Sequence, residues 1–399
     1  MTSTLPPARQ GSSGRSGKVD AVQRVLRVAF DVTPMIGTRT GVGNLVAGFR
    51  QALDTISDLE LVGYATTVRG RRQVRRELGA GVAPVPARVL RQAWLRADWP
   101  PVEMWVPRVD MVHGMNYVVP PTRTGRSLVS VHDLTVVRYP EMCTSDTLQY
   151  PELLRRAFRR GAHVHVDSRY VGEELAAWSG LDREHIHVVH PGLDPLRPPT
   201  PTDNVTATVT GILEGPPFIL AVGTIEPRKD YTTLLRAFAE LSAGDAELHL
   251  VVAGAPGWGS SAFSDELQRL PSPLRQRIRQ IGYVGAPDKH RLLAKARVLA
   301  YPSIYEGFGL PPLEAMQHRT PVVSTNAGSL PEVLGDAALF VDVGDVAGLA
   351  EALRSAHVDE EVRAGLQTKG VAQCDLYTWE RAAPEMFAVY RRIVGMAAS

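Results

Sequence analysis

The sequence contains very little cysteine: two residues in 399, Cys143 and Cys374, with no Cys-x-x-Cys or Cys/His metal spacing around either. This excludes a disulfide-stabilised scaffold and favours two reduced thiols in a cytoplasmic protein. No run of about 18 apolar residues occurs, so no membrane-spanning helix is predicted. Residues 1–22 are rich in Ser, Gly, Pro and Arg, which predicts a disordered tail and not a secretory signal.

A strong net charge is also missing. The 44 Lys and Arg residues nearly balance 42 Asp and Glu, and the resulting net charge of +2 gives no bulk attraction to nucleic acid. With 44% apolar and 22% charged residues, the composition is that of a soluble globular protein. A chain of 399 residues is too long for one ordinary core, so two domains are predicted.

Short apolar runs alternate with helix-like stretches along both halves of the chain, which predicts parallel sheets covered by helices on both faces. Seven prolines between 191 and 217 indicate a linker, placed at 196–216, between an N-terminal domain over 23–195 and a C-terminal domain from 217 onward. The predicted strands are 25–31, 59–65, 109–113, 127–131, 163–166, 218–222, 248–253, 281–284, 298–301 and 321–324.

The richest segment for chemistry, residues 301–316, passes from a strand end through a glycine-containing loop into a helix with proline in its first turn. Ligands of open α/β sheets bind at that end of the strands. The free amides near Phe308, Gly309 and Leu310, together with the helix dipole, form an anion site suited to phosphate.

Glu306 and Glu314 bracket this loop. Carboxylates beside a phosphate are unfavourable unless they accept hydrogen bonds from neutral hydroxyls, which a nucleotide sugar carries on both sides of its diphosphate. We therefore assign Glu314 to a ribose and Glu306 to a sugar. A solvated helix face for Glu314 and a surface loop for Glu306 are the simpler alternative for an isolated pair of acids.

The strand at 218–222 runs into a similar turn that holds Gly223, Thr224, Arg228 and Lys229. Arg228 and Lys229 place cations where a diphosphate leaving group develops charge. A solvated basic pair is the alternative, but cations beside a helix N-terminus are unfavourable without an anion.

In the N-terminal half, Gly41 and Gly43 lie in a glycine-rich turn between the first strand and a helix. The turn permits close backbone approach to a ligand, although a simple strand–helix turn explains it equally well, and its spacing is not G-x-G-x-x-G. His132 and Asp133 follow the strand at 127–131. There the His132 ring can donate to a sugar hydroxyl, or its carbonyl can stabilise a cationic transition state.

The E-x7-E spacing of Glu306 and Glu314 within YEGFGLPPLEAM resembles the retaining GT-B glycosyltransferases of family 4. The resemblance runs from about residue 25 to the C-terminal region. It implies two Rossmann-like domains that face each other across a cleft, with an acceptor domain over 23–195, a nucleotide-sugar domain over 217–376 and a helix over 377–399 that crosses back onto the N-terminal domain. Segments similar to that family also occur at 131–133, 167–168, 189–194, 222–229, 254–258 and 329–333.

The resemblance also implies transfer with retention at the anomeric carbon, with no cofactor and no metal, because Arg228 and Lys229 replace a divalent cation. Many relatives carry arginine where this chain has Thr224, so the leaving-group cation must be Arg228 with Lys229. The residues so assigned are His132, Glu306, Lys229 and Arg228 for catalysis, and Gly41, Gly43, Gly223, Thr224, Phe308, Gly309, Leu310 and Glu314 for donor binding.

The resemblance favours GDP-mannose as the donor, with UDP-hexoses as the alternative and a sugar or lipid-linked acceptor. Arginine-rich stretches at 68–77 and 90–99, the second with two tryptophans, predict either peripheral contact with an anionic membrane at its inner face or a solvated surface. A nucleotide-sugar epimerase and a non-catalytic nucleotide-sugar-binding protein remain alternatives. A nicotinamide oxidoreductase is disfavoured, because the first strand–helix turn lacks its glycine motif.

Overall fold

The structure is a computed structural model that describes Met1 and residues 24–37, 41–67, 71–196 and 205–395. The predicted tail over 1–22 lies, Met1 excepted, outside the described residues. So do residues 38–40 of the glycine-rich turn and residues 68–70 of the first arginine-rich stretch.

In the N-terminal half, seven described strands form one parallel sheet in the order β3-β2-β1-β4-β5-β6-β7. Helices cover the sheet, and short 3₁₀ turns occur in several connections. The elements are β1 (Leu26–Asp31), α1 (Gly41–Leu53), β2 (Leu59–Ala65), α2 (Arg71–Leu78), β3 (Gly81–Val82), α3 (Ala87–Trp94), β4 (Met111–Gly114), β5 (Ser127–Val131), α4 (Thr135–Arg138), α5 (Tyr150–Arg159), β6 (His163–Val166), α6 (Arg169–Ser179) and β7 (Ile186–Val188).

The C-terminal half repeats the arrangement with six described parallel strands in the order β10-β9-β8-β11-β12-β13. Its elements are α7 (Ala207–Leu213), β8 (Phe218–Val222), α8 (Tyr231–Leu241), β9 (His249–Ala253), α9 (Ser261–Arg269), α10 (Ser272–Arg275), β10 (Ile278–Gly282), α11 (Ala286–Lys295), β11 (Val298–Tyr301), α12 (Leu310–Gln317), β12 (Val322–Thr325), α13 (Leu330–Leu334), β13 (Ala338–Val341), α14 (Val346–Val358), α15 (Glu360–Cys374) and α16 (Trp379–Val394).

The prediction of two Rossmann-like α/β domains is confirmed. In β5, β8 and β11 every residue is buried, which is the pattern of parallel strands covered on both faces. The predicted bounds of β2 and β8 agree with the structure. The strand predicted at 281–284 is wrong in position, because β10 spans Ile278–Gly282 with exposed Arg279 and Gln280 in its middle.

The proline-rich segment predicted as a linker contains more structure than expected. Within it lies α7, whose Val209 and Ile212 pack into the core of the C-terminal domain. Thr206 caps this helix by accepting from the Val209 amide at 3.4 Å, and its own hydroxyl donates to Asp288 at 3.0 Å.

The last helix, α16, crosses back and packs on α1 of the N-terminal domain, as predicted. Its first residue, Trp379, lies edge-on to Phe49 and fills the space over Gly48, where an added Cβ would come within 2.0 Å of the indole. Farther along, the Tyr390 hydroxyl lies 2.7 Å from His113 Nδ1 in the buried core. Trp379 and Tyr390 therefore hold the crossover helix on the N-terminal domain, and glycine at position 48 leaves the space that the Trp379 indole needs.

Candidate active site between the two domains

The loops at the carboxyl ends of the two sheets meet each other. Ser168, after β6, donates from Oγ to the Gly307 carbonyl at 2.8 Å. The Leu134 amide, after β5, donates to the Tyr305 hydroxyl at 3.0 Å. Glu332 of α13 accepts from the Arg169 amide at 2.9 Å and from the next amide at 2.8 Å, and so caps α6 from the opposite domain. These contacts place the loop after β11 at the centre of the interdomain cleft.

This loop leads into α12 through Gly309, whose φ of 100° lies in a region that favours glycine. Pro311 and Pro312 in the first turn carry no N–H group. Among the residues that the structure describes, the amides of Phe308, Gly309 and Leu310 donate no backbone hydrogen bond. The mouth of α12 thus has free amides and the positive end of a helix dipole, which together favour an anion.

Glu306, Arg228 and Lys229 form one buried ionic cluster. Lys229 Nζ lies 2.5 Å from Glu306 Oε1, and Arg228 lies 2.7 Å from Glu306 Oε2, so each carboxylate oxygen faces one cation. Lys229 also donates to the Tyr301 hydroxyl at 2.8 Å, and Arg228 to Glu226 at 2.8 Å. The sequence argument left the two cations without a protein partner. In the structure, Glu306 pairs with both of them, and Glu226 is a second anion beside Arg228.

The cluster shifts the pKa of each member. Burial alone would raise the pKa of Glu306, but the charges of Arg228 and Lys229 outweigh it and lower that pKa to about 2. The pKa of Lys229 is lowered, because burial and repulsion from Arg228 outweigh its attraction to Glu306. The two shifts differ because Arg228 attracts the acid and repels the lysine. We therefore take Glu306 as a carboxylate held between two cations.

Glu314 lies one turn into α12, where its Oε1 accepts from Lys289 Nζ of α11 at 2.5 Å. Both side chains are partly exposed. Lys289 was not singled out from the sequence, because it is 25 residues away and belongs to no recognised motif. The ribose role of Glu314 stays a prediction, and the structure adds Lys289 as the cation that orients this carboxylate.

His132 is buried, and both of its ring nitrogens have protein partners. Nδ1 lies 2.7 Å from Asp167 Oδ2 and Nε2 lies 2.8 Å from the Met115 carbonyl. Burial lowers the pKa of His132, but the Asp167 charge and both hydrogen bonds outweigh this and raise it overall. Both ring nitrogens are therefore occupied in this structure, and the catalytic role of His132, through its ring or its carbonyl, stays a prediction. The His132 carbonyl instead faces Gly307, where an added Cβ would lie 1.7 Å away.

The predicted donor-binding glycines lie in different settings. Gly223, with φ of 145°, lies against Lys229, and an added Cβ there would be 3.2 Å from Lys229 Cε. Thr224 is exposed at the edge of the same turn. Gly41 and Gly43 open α1, with Gly41 exposed and Gly43 buried. Gly223 therefore lies beside the cluster, and the donor-binding roles of Gly223, Thr224, Gly41 and Gly43 stay predictions.

A cavity of about 230 Å³ adjoins the cluster and takes its walls from both domains. Its polar groups include Asp133, which accepts from the Tyr117 hydroxyl at 2.9 Å. Trp258, which is 41% exposed, closes the side formed by the C-terminal domain. Tyr117 could not be identified from the sequence, since it lies in a loop and reaches the site only through the fold. The lining residues are Tyr117, Asp133, Thr135, Val136, Met142, Cys143, Thr144, Thr147, Tyr150, Glu226, Arg228 and Trp258.

Within the described ranges, no group of three or more His, Cys, Asp or Glu side chains is arranged to hold a metal ion. In the same part of the chain, no helix combines the length and apolar character needed to cross a bilayer.

Two Rossmann-like domains with a cleft between their strand ends and a helix that returns to the first domain define the GT-B fold. Known structures share this fold. Sucrose-phosphate synthase from Thermosynechococcus elongatus aligns with a TM-score of 0.70 at 19% identity, over 93% of this chain and 99% of that chain. Anabaena HepE in complex with UDP and glucose aligns with a TM-score of 0.69 at 15% identity, over 92% of this chain and 100% of that chain.

Residues 206–372 match the family Glycosyl transferases group 1. The chain is 29% identical to the O-antigen chain mannosyltransferase B of Escherichia coli over 304 residues, which are 75% of this chain and 77% of that protein. It is 31% identical to the D-inositol 3-phosphate glycosyltransferase of Nocardioides sp. over 292 residues, 68% of this chain and 63% of that protein. Together with the GT-B fold, these relatives support glycosyl transfer as the chemistry of the cleft.

Proposed function

We propose that this protein is a retaining glycosyltransferase that moves a hexose from a nucleoside diphosphate sugar to an acceptor hydroxyl without a metal ion. The observation that carries the proposal is the buried cluster of Glu306, Arg228 and Lys229 beside the free amides at the mouth of α12. A diphosphate at this mouth meets donors on one side and two cations on the other. The charge that develops on it as the glycosidic bond breaks is thereby stabilised.

The proposed reaction breaks the bond between the anomeric carbon and the diphosphate oxygen and forms a bond from that carbon to the acceptor oxygen on the same face. The acceptor's hydroxyl proton leaves with the diphosphate. Arg228 and Lys229 take the place of a divalent cation in this proposal. Glu306 holds both of them beside the diphosphate and accepts from a donor-sugar hydroxyl.

Mannose is the proposed sugar and GDP-mannose the proposed donor. The support is the similarity to the O-antigen chain mannosyltransferase B of Escherichia coli. UDP-hexoses are the alternative, since one structure with the same fold carries UDP and glucose.

A panel of nucleotide sugars tests these proposals. We expect nucleoside diphosphate release with GDP-mannose, undiminished by EDTA, and transfer that keeps the donor's anomeric configuration as seen by NMR of the product. Release that requires added metal, or product of inverted configuration, would overturn the corresponding part. An epimerised sugar with no transfer product would indicate an epimerase. Binding of the nucleotide sugar without turnover would indicate a non-catalytic protein.

We also propose peripheral contact with an anionic membrane through α3 and the loop that follows it. Val89 and Trp99 are 54% and 62% exposed, and the neighbouring Arg88 and Arg96 are exposed as well. Trp94, in contrast, is buried, with its indole nitrogen donating to the Pro100 carbonyl at 3.1 Å, so only one of the two tryptophans of this stretch is available. A basic surface with exposed aromatic and apolar side chains is typical of membrane contact.

Flotation with vesicles that contain phosphatidylglycerol tests this contact. Trp99→Ala should reduce the bound fraction severalfold at low salt, because the indole is the largest exposed apolar side chain of the surface. Trp258→Ala, which removes an indole from the cleft, is the matched control and should leave flotation unchanged. Equal flotation of wild type and Trp99→Ala would show that the surface is merely solvated.

A further inference from the structure

A second cavity, of about 510 Å³, opens on the C-terminal domain at the end remote from the cleft. Its walls lie where β8, β11 and β12 begin, whereas the candidate active site lies where these strands end. Its volume exceeds that of the cavity in the cleft and falls within the range of about 300–1,000 Å³ that small-molecule sites occupy. We call it the basic pocket, after its lining side chains Lys295, Arg297, Arg319 and Arg363.

Within the described part of the chain, no acidic residue lines the basic pocket. Lys295, Arg297 and Arg319 are exposed and form no ion pair or side-chain hydrogen bond with any residue that the structure describes. Arg363 is half-buried, pairs with Glu360 and donates to the His357 carbonyl at 2.8 Å. Three cations of the pocket therefore have no anionic partner.

His318 also lines the basic pocket but adds no charge near neutral pH. Burial and the nearby His290 lower the pKa of His318 to about 4. The two rings are joined by a hydrogen bond of 2.9 Å between His290 Nδ1 and His318 Nε2. The positive charge of the pocket therefore comes from its lysine and arginines alone.

Helix C-termini at the pocket offset part of its positive charge. Helices α7, α11 and α12 all finish at the basic pocket, where Gly215, Lys295 and the cap residue His318 line it. A helix C-terminus carries about half a negative charge and favours nearby cations. These ends and Glu360 offset part of the positive charge, but Lys295, Arg297 and Arg319 have no acidic side chain as a partner among the described residues. A ligand with several negative charges would neutralise them.

We propose that the basic pocket binds a phosphate-rich anion, separately from the donor site in the cleft. Arginine forks pair with phosphate oxygens through two parallel hydrogen bonds, and Lys295 supplies a point charge. The anion is carried either by a free phosphorylated small molecule or by a lipid head group, since both present the same chemistry. The two sites lie at opposite ends of α12, whose eight residues span about 12 Å.

Isothermal titration with inorganic tripolyphosphate tests the proposal. The pocket variant is Arg297→Gln with Arg319→Asn, because Arg319 has a φ of 58° that asparagine tolerates. The control variant, Arg279→Gln with Lys369→Gln, removes the same charge from exposed positions of the same domain outside the pocket. We expect wild type and control to show a binding event that weakens at least tenfold in the pocket variant.

Tripolyphosphate that enters the cleft does not obscure the result, since the pocket variant leaves Arg228 and Lys229 in place and any cleft binding persists in all three proteins. Identical isotherms for wild type and pocket variant would overturn the proposal. Thermal unfolding is measured first. If the pocket variant is unfolded, Lys295→Gln alone takes its place, with a weaker but still reduced affinity expected.

Sedimentation with phosphatidic acid vesicles separates the two sources of the anion. If tripolyphosphate binding falls in the pocket variant but vesicle binding does not, the ligand is a soluble phosphorylated molecule. Vesicle binding that also falls in the pocket variant, but not in the control, supports a lipid head group. If neither tripolyphosphate binding nor vesicle binding depends on the pocket, the proposed site is refuted.

Discussion

The buried ionic cluster yields the sharpest prediction, for Lys229→Met. Methionine retains most of the apolar stem of lysine but removes the charge 2.5 Å from Glu306 Oε1 and the donor 2.8 Å from the Tyr301 hydroxyl. Removing one partner of a buried ion pair costs about 3–5 kcal/mol. Because Arg228 still faces the other carboxylate oxygen, we expect the lower end, a loss of about 3 kcal/mol in the free energy of unfolding.

Urea denaturation of wild type, Lys229→Met, Glu306→Gln and the double variant measures this loss. The double variant contains no uncompensated carboxylate, so it should lose less than the sum of the two single variants by at least about 1 kcal/mol. Additive losses would refute the direct pairing. The affinity for a nucleoside diphosphate, measured by titration at neutral pH, should also fall in Lys229→Met. This measurement tests the proposed binding role, whereas urea denaturation tests stability.

The same cluster predicts a pH dependence. The pKa of Glu306 is lowered from 4.5 to about 2, so its contribution to stability is complete above pH 4.5 and is lost as the pH falls toward 2. The shift corresponds to about 3 kcal/mol. Glu306→Gln should therefore show a shallower acid destabilisation than wild type in that interval. Parallel curves would contradict the assignment.

Three further predictions concern the loops beside the cluster and the crossover helix. Gly307→Ala places a Cβ 1.7 Å from the His132 carbonyl, so it should separate the two loops and reduce kcat/KM about a hundredfold, with unchanged circular dichroism. Asp167→Asn removes the charge that raises the pKa of His132, so NMR should show the imidazole titrating at lower pH. In wild type, the stabilisation from this pair is complete below pH 6.5 and is lost as the pH rises through the raised pKa. Tyr390→Phe removes the 2.7 Å contact with His113 and should cost about 1–2 kcal/mol in urea denaturation, without changing nucleotide affinity.

Strands buried on both faces could be predicted from the sequence because their apolar runs are continuous, as in β8. The edge strand β10 could not be predicted in the same way, because Arg279 and Gln280 are exposed in its middle. These polar residues interrupt the apolar run, so the sequence indicated a strand at 281–284 instead. Helix α7 was missed for a related reason: its threonines and glycine are weak helix formers, and packing of Val209 and Ile212 stabilises it.

The candidate site was predictable where the chemistry lies within one segment. The loop from Glu306 to Glu314 carries its own glycines and prolines, and the structure places it at the cleft. Partners distant in sequence were not predictable. Glu306 lies 77 residues from Lys229 and Glu314 lies 25 residues from Lys289, and no spacing rule joins such pairs.

The contacts between the domains differ in strength. At the cleft, Gly307, Tyr305 and Glu332 are held by hydrogen bonds, each worth only about 1 kcal/mol when water can replace the partner. At the crossover, α16 buries Ala382, Met386 and Tyr390 against the N-terminal core, and the Leu193 amide donates to the Tyr377 carbonyl at 2.9 Å. The crossover is therefore the apolar, tightly packed part of the interdomain contact, and the polar contacts at the cleft are the weaker part. We expect these polar contacts to break before the crossover packing does when the domains separate.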